Sequence, residues 1–326
     1  MAADTPLARS ESAVDPAFRA DVLRGFAMSG QRAIPARWLY DRAGSELFEE
    51  ITRLPEYYPT RTETALLAAT SAEIARHVAP GAVVVEFGSG ASTKTPLLLR
   101  AIAPAGYIPI DISAAFLRES ADALAADFPD IRIEPITGDF TRPIILPDWT
   151  AAHPRLGFFP GSTIGNLAPE AAVDLLRTMR ASLGEGALLL IGFDRAKPES
   201  VLLPAYDDAQ GVTARFDLNL LARINRELQG TIPLDAFRHK VVWNDFDSRV
   251  EMHLEAQRDI TFRIAGQDFA MHAGETIHSE NSHKYGARDS RMLLRAGGWS
   301  PLYEWSDARD FFTLVLARAR ARPLAP

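Results

Sequence analysis

The stretch VVVEFGSGAS, residues 83–92, decides the fold. Its first five residues are β-branched or apolar except for Glu86, and a short run of this kind predicts a buried strand. Gly88 and Gly90 follow at once, and glycines here let the backbone turn tightly and approach a ligand closely. A buried strand that enters a glycine-rich turn is typical of the first unit of a doubly wound α/β sheet.

Outward from this stretch, strand-like and helix-like segments alternate. The pattern predicts further strands at residues 106–113, 131–140, 155–166 and 187–194, with helices between them, and Ser113 is placed to cap one of these helices. Residues 311–319 predict a final apolar strand. The alternation therefore predicts the α/β class, with a doubly wound and mostly parallel sheet.

Two segments have no place in this sheet. Residues 197–284 begin as a helical region and continue with the alternating pattern of a half-exposed antiparallel sheet. The first ~60 residues precede the sheet altogether. We therefore assign residues 62–196 and 285–326 to a ligand-binding domain built on the sheet. Residues 1–61 and 197–284 are assigned to a second, α+β lobe over the edge of the sheet.

Composition excludes several classes of function. The 326 residues carry a formal net charge of -7 and contain no cysteine. The missing thiols exclude disulfides, thiolate metal sites and cysteine nucleophiles. An acidic protein repels phosphate backbones, so nucleic acid is not an expected partner. The sequence has no apolar run near the ~20 residues that span a bilayer and no secretory signal, so we expect a soluble cytoplasmic protein without a membrane partner.

The glycine turn favours one class of ligand over another. The dinucleotide fingerprint needs a third glycine, and Thr93 stands at that position. Glu86 directly before the turn is poorly suited to a pyrophosphate, but it suits a ligand that carries an ammonium and a sulfonium. We therefore predict S-adenosylmethionine as the cofactor, with a nicotinamide-dependent oxidoreductase as the rival from another class.

Acidic residues at the ends of the next two strands fit the same ligand. Asp111 ends the second strand, where a carboxylate can accept both ribose hydroxyls. Asp139 ends the third strand, where it would accept from the adenine amino group while Phe140 packs on the ring. The alternative is that Glu86, Asp111 and Asp139 are ordinary capping and turn acids.

A run near the end of the insert, ETIHSENSHKYG at residues 275–286, is unusually polar. If it forms a regular strand, His278, Glu280 and Ser282 share one face, while Asn281 and His283 share the other. We expect no metal here, because the chain has neither cysteine nor an H-E-x-x-H spacing. A hydrolase is not expected either, since the nucleophile motif G-x-S-x-G is missing.

Five segments together resemble one known family. They are YDRAGSELFEEITRLPEYYPTRTE, EFGSGASTKT, GDF, FFPGSTIGN and IHSENSHKY. They resemble the histidine-specific N-α-methyltransferases of the ergothioneine pathway, and the likeness extends from about Arg37 to the C-terminus. The resemblance implies a class I methyltransferase sheet with a family-specific second lobe. It also implies three successive methyl transfers from S-adenosylmethionine to the α-amino group of L-histidine, which give hercynine.

The resemblance also implies roles for individual residues. Tyr57, Asn166 and Tyr206 would hold the amino-acid backbone of the substrate, and Glu280 and Ser282 would read its imidazole, with Asn281 between them. Lys94 would reach the methionine carboxylate of the cofactor. The remaining residues of the predicted cofactor site are Glu86, Gly88, Gly90, Asp111, Asp139 and Phe140.

The expected chemistry is positioning rather than acid–base catalysis. Methyl transfer is an in-line displacement at carbon, so Tyr57 and Asn166 are expected to orient the reactants, and no residue is assigned as acid or base. We expect a monomer that acts on a free amino acid.

Two positions depart from the family's pattern and leave the acceptor open. The histidine enzymes more often carry arginine where His278 stands and phenylalanine where Tyr285 stands, whereas Met252 matches them. Another aromatic amino acid, such as one with an indole, therefore remains the alternative acceptor.

Overall fold

The computed structural model describes residues 15–90 and 93–320. The helices are α1 (Pro16–Ala27), α2 (Arg42–Thr52), α3 (Tyr58–His77), α4 (Thr95–Ile102), α5 (Ala114–Asp127), α6 (Pro169–Leu183), α7 (Glu199–Tyr206), α8 (Val212–Glu227) and α9 (Ala287–Ala296). Single 3-10 turns occur at Ala36–Leu39, Asp148–Ala152, Thr163–Asn166 and Leu234–Ala236. Within the described ranges, every helix is too short or too polar to cross a membrane.

The strands belong to a large central sheet, a smaller sheet and a hairpin. Their bounds are β1 (Arg32–Ala33), β2 (Val83–Phe87), β3 (Gly106–Asp111), β4 (Arg132–Ile133), β5 (Ile136–Thr137), β6 (Arg155–Phe159), β7 (Leu188–Asp194), β8 (Phe237–Asn244), β9 (Arg249–Ala256), β10 (Ile260–Ile264), β11 (Gln267–Met271), β12 (Thr276–His283), β13 (Trp299–Ser306) and β14 (Phe312–Ala319).

The central sheet is mostly parallel and has helices on both faces. Its order is β13-β14-β7-β6-β2-β3-β4, and β5 also pairs with β3. Strands β2 to β7 run parallel, whereas β14 is antiparallel to both of its neighbours. On β2, Val83 and Val85 pack in a core with α6, while Val84 packs in another core with α3 and α4. Successive strand residues thus fill opposite faces, and the predicted doubly wound α/β class is confirmed.

Local details of the sheet differ from the prediction. The segment 131–140 forms two short strands, β4 and β5, because Pro135 between them has no N–H to donate to a ladder. The segment 155–166 is a strand only as far as Phe159, and it ends in a 3-10 turn. Ser113 does stand at the start of α5, but its side chain makes no capping bond; instead its backbone N–H donates to Asp111 Oδ1 at 3.0 Å.

The smaller sheet joins the two segments that the central sheet leaves out. Its order is β1-β12-β9-β8, and β1 pairs in parallel with β12, with Arg32 opposite Ile277. One apolar core connects Phe18 and Trp38 of the N-terminal segment with Phe216 on α8 and Leu254 on β9. The polar residues of β12, including Glu280 and Ser282, therefore belong to a sheet that packs against α8.

A bulge in β12 changes which side chains share a face. Glu280 is paired with Met252, but the register shifts and His278 is paired with His253. The extra residue is Ser279, whose hydroxyl donates to the Met252 carbonyl at 3.0 Å. The expectation that His278, Glu280 and Ser282 share one face is therefore wrong: a bulge turns His278 to the opposite face. There its ring stacks on His253, with centroids 4.6 Å apart.

Candidate active site

One cavity of about 760 Å³ lies between the carboxyl ends of the central strands and the smaller sheet. It is lined by all thirteen residues that the sequence singled out, from both the cofactor set and the substrate set. They are Tyr57, Glu86, Gly88, Gly90, Lys94, Asp111, Asp139, Phe140, Asn166, Tyr206, Glu280, Asn281 and Ser282. Topology explains the grouping of the cofactor set, because parallel strands bring their carboxyl ends to one edge of the sheet, and β12 of the smaller sheet adds Glu280, Asn281 and Ser282.

The glycine turn after β2 has a conformation that favours glycine. Gly88 has φ of +70°, and a Cβ added to it would lie 3.1 Å from Cε1 of Phe140. Its N–H donates to the Ile110 carbonyl at 2.8 Å, which ties the turn to β3. The missing side chain therefore lets the Phe140 ring pack closely against the turn at the cavity wall.

Two carboxylates hold turns at the cavity wall. Asp111 accepts from the N–H groups of Gly90 and Ser113, each at 3.0 Å. Asp139 accepts from the backbone and hydroxyl of Thr141 through Oδ1, and from Arg37 at 3.2 Å through Oδ2. These contacts are the ones that turn acids make, and both side chains also line the cavity. The geometry is compatible with the structural role and with the ligand-binding role.

Glu86 is buried beneath the turn. Its Oε2 accepts hydrogen bonds from Thr95 at 2.7 Å and from Tyr107 at 2.6 Å. Burial raises the pKa of the Glu86 carboxyl to about 7, and the hydrogen bonds from Tyr107 and Thr95 oppose this shift. A cationic ligand nearby would favour the ionised form of Glu86.

Lys94 has a partner that the sequence reading missed. Its ammonium donates to Glu63, a fully buried carboxylate on α3. The same carboxylate accepts the Gly161 N–H, at 2.8 Å to Oε2 and 3.0 Å to Oε1. Glu63 thus positions both a lysine of the cofactor set and the backbone after β6. The sequence pattern does indicate that Glu63 is buried: it lies three residues before Leu66 and four before Leu67, and therefore on the same buried face of the helix.

Glu280 is held by two donors at the other end of the cavity. Tyr40 Oη donates to its Oε1 at 3.2 Å, and Asn166 Nδ2 donates to the same atom at 3.0 Å. Burial raises the pKa of Glu280 to about 8, although the hydrogen bond from Tyr40 opposes the shift. With Oε1 occupied, Oε2 is the oxygen that a ligand N–H would approach. Tyr40 was not assigned a role from the sequence.

The phenols of Tyr57 and Tyr206 complete this end. Their rings meet edge to face with centroids 6.0 Å apart. Burial raises the pKa of both phenols above the ordinary value, so both stay neutral and can donate hydrogen bonds. Tyr206 Oη lies 2.7 Å from Ser282 Oγ, and the buried Lys284 contacts both oxygens. The arrangement places two neutral phenols near the Glu280 carboxyl group, and one of them is bonded to the Lys284 ammonium.

Glu251, His253 and His278 form a cluster on the opposite face of β9 and β12. Their ligand atoms lie within 4.8 Å of one another. However, Glu251 already accepts from Arg249 at 2.8 Å and from Asn244 at 2.8 Å, and such hydrogen bonds lower its pKa to about 2. The guanidinium supplies the positive charge that a cation would otherwise bring. The expectation that the protein holds no metal stays a prediction.

Comparison with known proteins identifies relatives over nearly the whole chain. The sequence model of a family described as "Histidine-specific methyltransferase, SAM-dependent" matches residues 18–319. A histidine N-alpha-methyltransferase of Mycolicibacterium smegmatis is 42% identical, covering 92% of this chain and 94% of that protein. Its counterpart of the same name in Mycobacterium tuberculosis is 39% identical, covering 94% and 96%. "Ergothioneine biosynthesis protein 1" of Neurospora crassa is 29% identical over 89% of this chain, which spans 34% of that longer protein.

Proposed function

Since this chain belongs to the family of histidine-specific, S-adenosylmethionine-dependent methyltransferases, we propose that it methylates the α-amino group of L-histidine three times and so forms hercynine. The chain is an N-methyltransferase, and its cofactor is S-adenosylmethionine. Trimethylhistidine formation is the first step of ergothioneine biosynthesis, and the fungal relative named for that pathway supports this placement. Family membership also disfavours the nicotinamide-dependent oxidoreductase.

The cofactor is proposed to lie along the glycine turn. Phe140 would cover the adenine beside Gly88, Asp139 would accept from its amino group, and Asp111 would accept from the ribose hydroxyls. Lys94 would bind the methionine carboxylate in exchange for part of its contact with Glu63. When bound, the cofactor supplies a methyl group on a positively charged sulfur. The observation that supports this is that Phe140 packs against the glycine turn at Gly88 and that both residues line the cavity.

The amino acid is proposed to lie at the Glu280 end of the cavity. Glu280 would accept a ring N–H through Oε2, and Ser282 would contact the second ring nitrogen. Tyr57 would donate to the substrate carboxylate beside the ring of Tyr206, and Asn166 would orient the amine without adding charge. Asn281 completes the proposed substrate set. The observation that carries this assignment is that Asn166 Nδ2 bonds Glu280 itself, so one network holds the residues for the amine and for the ring.

The proposed methyl transfer step needs no acid or base from the protein. The ammonium first loses a proton to solvent, and the nitrogen lone pair then attacks the methyl carbon. The carbon–sulfur bond breaks, and its electron pair returns to sulfur. Holding nitrogen, carbon and sulfur in line supplies most of the acceleration in such a displacement. Neutral phenols and an amide around the nitrogen help, because they do not stabilise the unreactive ammonium.

The assignment of cofactor binding and substrate recognition to different parts of the chain is also a proposal. We propose residues 62–196 and 285–326 as the cofactor-binding domain, and residues 1–61 and 197–284 as the substrate-recognition lobe. The apolar cores support these boundaries: one core draws its buried residues from 18–58 and 202–277, and the other two draw theirs from 66–193 and 285–319. Residues 1–14, 91–92 and 321–326 of these ranges lie outside the described structure.

The partners are proposed to be small molecules. The acidic chain would act as a cytoplasmic monomer on free amino acid, independently of nucleic acid and membrane. Size-exclusion chromatography with light scattering at assay concentration checks the oligomeric state, and a dimer would contradict this part.

The decisive experiment is product identification. The enzyme is incubated with methyl-labelled S-adenosylmethionine and, separately, histidine, tryptophan, tyrosine and phenylalanine. We expect mono-, di- and trimethylated histidine in sequence, with fragmentation placing the label on the α-nitrogen. Preferred turnover of another amino acid would establish the alternative acceptor. Label on the imidazole, or in no product, would refute the proposal.

A further inference from the structure

Lys284 is a fully buried lysine beside the proposed imidazole site. It lies on the chain directly after β12, and its side chain has no exposed surface. Its ammonium donates to Asp194 Oδ2 at 2.7 Å, to Tyr206 Oη at 2.6 Å and to Ser282 Oγ at 2.7 Å. The sequence resemblance assigned no role to this residue. Burying a charge is costly unless it is paired, so a lysine at this position requires an explanation.

Counting hydrogens shows what the lysine imposes on its neighbours. An ammonium has three N–H donors and no acceptor, and the three contacts use all of them. Both hydroxyl oxygens must therefore act as acceptors toward Lys284. The two hydroxyls also bond each other at 2.7 Å, which consumes one of their two hydrogens. One hydroxyl hydrogen is left over, and it can only be donated outward.

Of the two hydroxyls, the phenol of Tyr206 is the more acidic and therefore the stronger donor, so we take Tyr206 to donate to Ser282. If Tyr206 donates to Ser282, then Ser282 Oγ accepts from both Lys284 and Tyr206, so its lone pairs are used. Its own hydrogen then points to the cavity. Glu280 offers an acceptor oxygen a few positions away on the same face of β12. Together they present one donor and one acceptor, the pattern that matches the lone pair and the N–H of a neutral imidazole.

Resting on the proposed function, we propose that Lys284 is a positioning and specificity-determining residue, which fixes Ser282 as a hydrogen-bond donor and so selects a ring that has an acceptor nitrogen. Without Lys284, Ser282 can turn and either accept or donate. A ring with C–H in place of the acceptor nitrogen is then penalised less. A site built on fixed polar groups rejects analogues that leave those groups unpaired.

The chain offers a matched control in Lys197. This lysine is also buried, with 2% of its side chain exposed, and it also pairs with Asp194. Its other contacts are to Tyr58 Oη and to the Arg195 carbonyl, so it does not bond Ser282 or Tyr206. Lys197→Gln removes a buried positive charge from the same aspartate and leaves the two hydroxyls with Lys284.

The test compares histidine with pyrrol-2-ylalanine and pyrrol-3-ylalanine. Each analogue keeps a ring N–H and has C–H in place of the other nitrogen. The readout is the ratio of kcat/KM for histidine to that for the better analogue. We expect a ratio of about 10 to 100 in the wild type and in Lys197→Gln, because an unpaired group next to a charged partner costs about that much. In Lys284→Gln we expect the ratio to fall to about threefold or less.

Several outcomes would overturn this inference. One is a kcat/KM ratio in Lys284→Gln that equals the wild-type ratio. Another is an equal decrease of this ratio in Lys197→Gln, which would indicate a general packing effect. Affinity for S-adenosylhomocysteine, measured by calorimetry, checks that each variant is folded. If Lys284→Gln does not fold, Ser282→Ala keeps the test open, since an unchanged ratio there also refutes the assignment. A wild type that does not methylate histidine would refute the proposed function itself.

Discussion

Replacing Glu280 tests the substrate site most directly. The side chain is 9% exposed, and its Oε1 is fixed by Tyr40 and Asn166. Glu280→Ala removes the proposed acceptor for the ring N–H and leaves both donors without their partner. Glu280→Gln keeps an oxygen for Tyr40 and Asn166 but removes the charge, so the pair of variants separates the charge from the orientation of Asn166.

The magnitude follows from the kind of hydrogen bond that is lost. A hydrogen bond to a charged group contributes about 1.5–3 kcal/mol, and ~1.36 kcal/mol corresponds to a tenfold change in rate. Glu280→Ala should therefore lower kcat/KM for histidine by about 10- to 150-fold. Glu280→Gln keeps the oxygen for Tyr40 and Asn166 but places an amide NH2, a donor, where Oε2 would accept the ring N–H, so it should lower kcat/KM by about the same factor.

The assay has to be run where Glu280 is ionised. Because burial raises its pKa to about 8, much of the carboxyl is protonated at neutral pH. Initial rates are therefore measured at about pH 8.5 with histidine well below KM, and S-adenosylhomocysteine affinity reports on the cofactor site. Glu251→Ala is the control, because it removes a carboxylate from the opposite face of the neighbouring strand β9. We expect its kcat/KM to stay near that of the wild type.

The result that refutes this reasoning is specific. If Glu280→Ala loses less than about threefold in kcat/KM for histidine, the carboxylate does not bind the ring. An equal loss in Glu251→Ala would instead indicate damage to the smaller sheet.

Three further predictions concern the cofactor side. Glu86 has an unfolded pKa near 4.5 and a folded pKa of about 7, so its stabilising contribution is lost as pH rises through that window. The Tm should therefore fall between pH 5 and pH 7.5, and it should fall less steeply in Glu86→Gln than in the wild type. Equal slopes would contradict the burial argument. Gly88→Ala should weaken S-adenosylhomocysteine binding about tenfold by calorimetry, whereas Gly81→Ala, with the same sign of φ but open space, should leave it unchanged. Lys94→Met should lower the free energy of unfolding by about 3 kcal/mol, because it leaves Glu63 unpaired. Adding Glu63→Gln should restore the Tm but not the affinity for the cofactor. Recovery of both would exclude Lys94 from the cofactor site.

Much of the fold could be predicted because it rests on local patterns. The apolar run at Val83, the glycine turn and the strand–helix alternation specify the sheet, and the computed structure and the family match confirm the α/β class and the cofactor. Carboxyl ends of parallel strands meet at one edge, so residues far apart in sequence could be grouped without coordinates.

The errors arose where one residue changes a local rule. Pro135 splits the third predicted strand, and the extra Ser279 turns His278 away from Glu280. Neither a bulge nor its position is visible in an alternating pattern, because the insertion shows itself only in the partner strand's register.

The missed site residues share another cause. Glu63, Tyr40 and Lys284 act by holding other polar side chains, and each has a partner far away in sequence: Lys94 is 31 positions from Glu63, Glu280 is 240 from Tyr40, and Asp194 is 90 from Lys284. Such residues have no motif of their own. A carboxylate on an apolar helix face, as at Glu63, is the one hint that a sequence offers.

The short parallel pairing of β1 with β12 has a consequence for how the enzyme is made. Arg32 pairs with Ile277, which is synthesised 245 residues later, so β1 has no partner strand until then. At about 5–20 residues per second on the ribosome, that delay is about 12–50 seconds. Throughout it, the apolar side chains of α1, including Phe18 and Phe26, lack the insert they are buried against. Pairings between residues this far apart raise the contact order of the fold, so the nascent N-terminal segment lacks its apolar partners until the insert has been made.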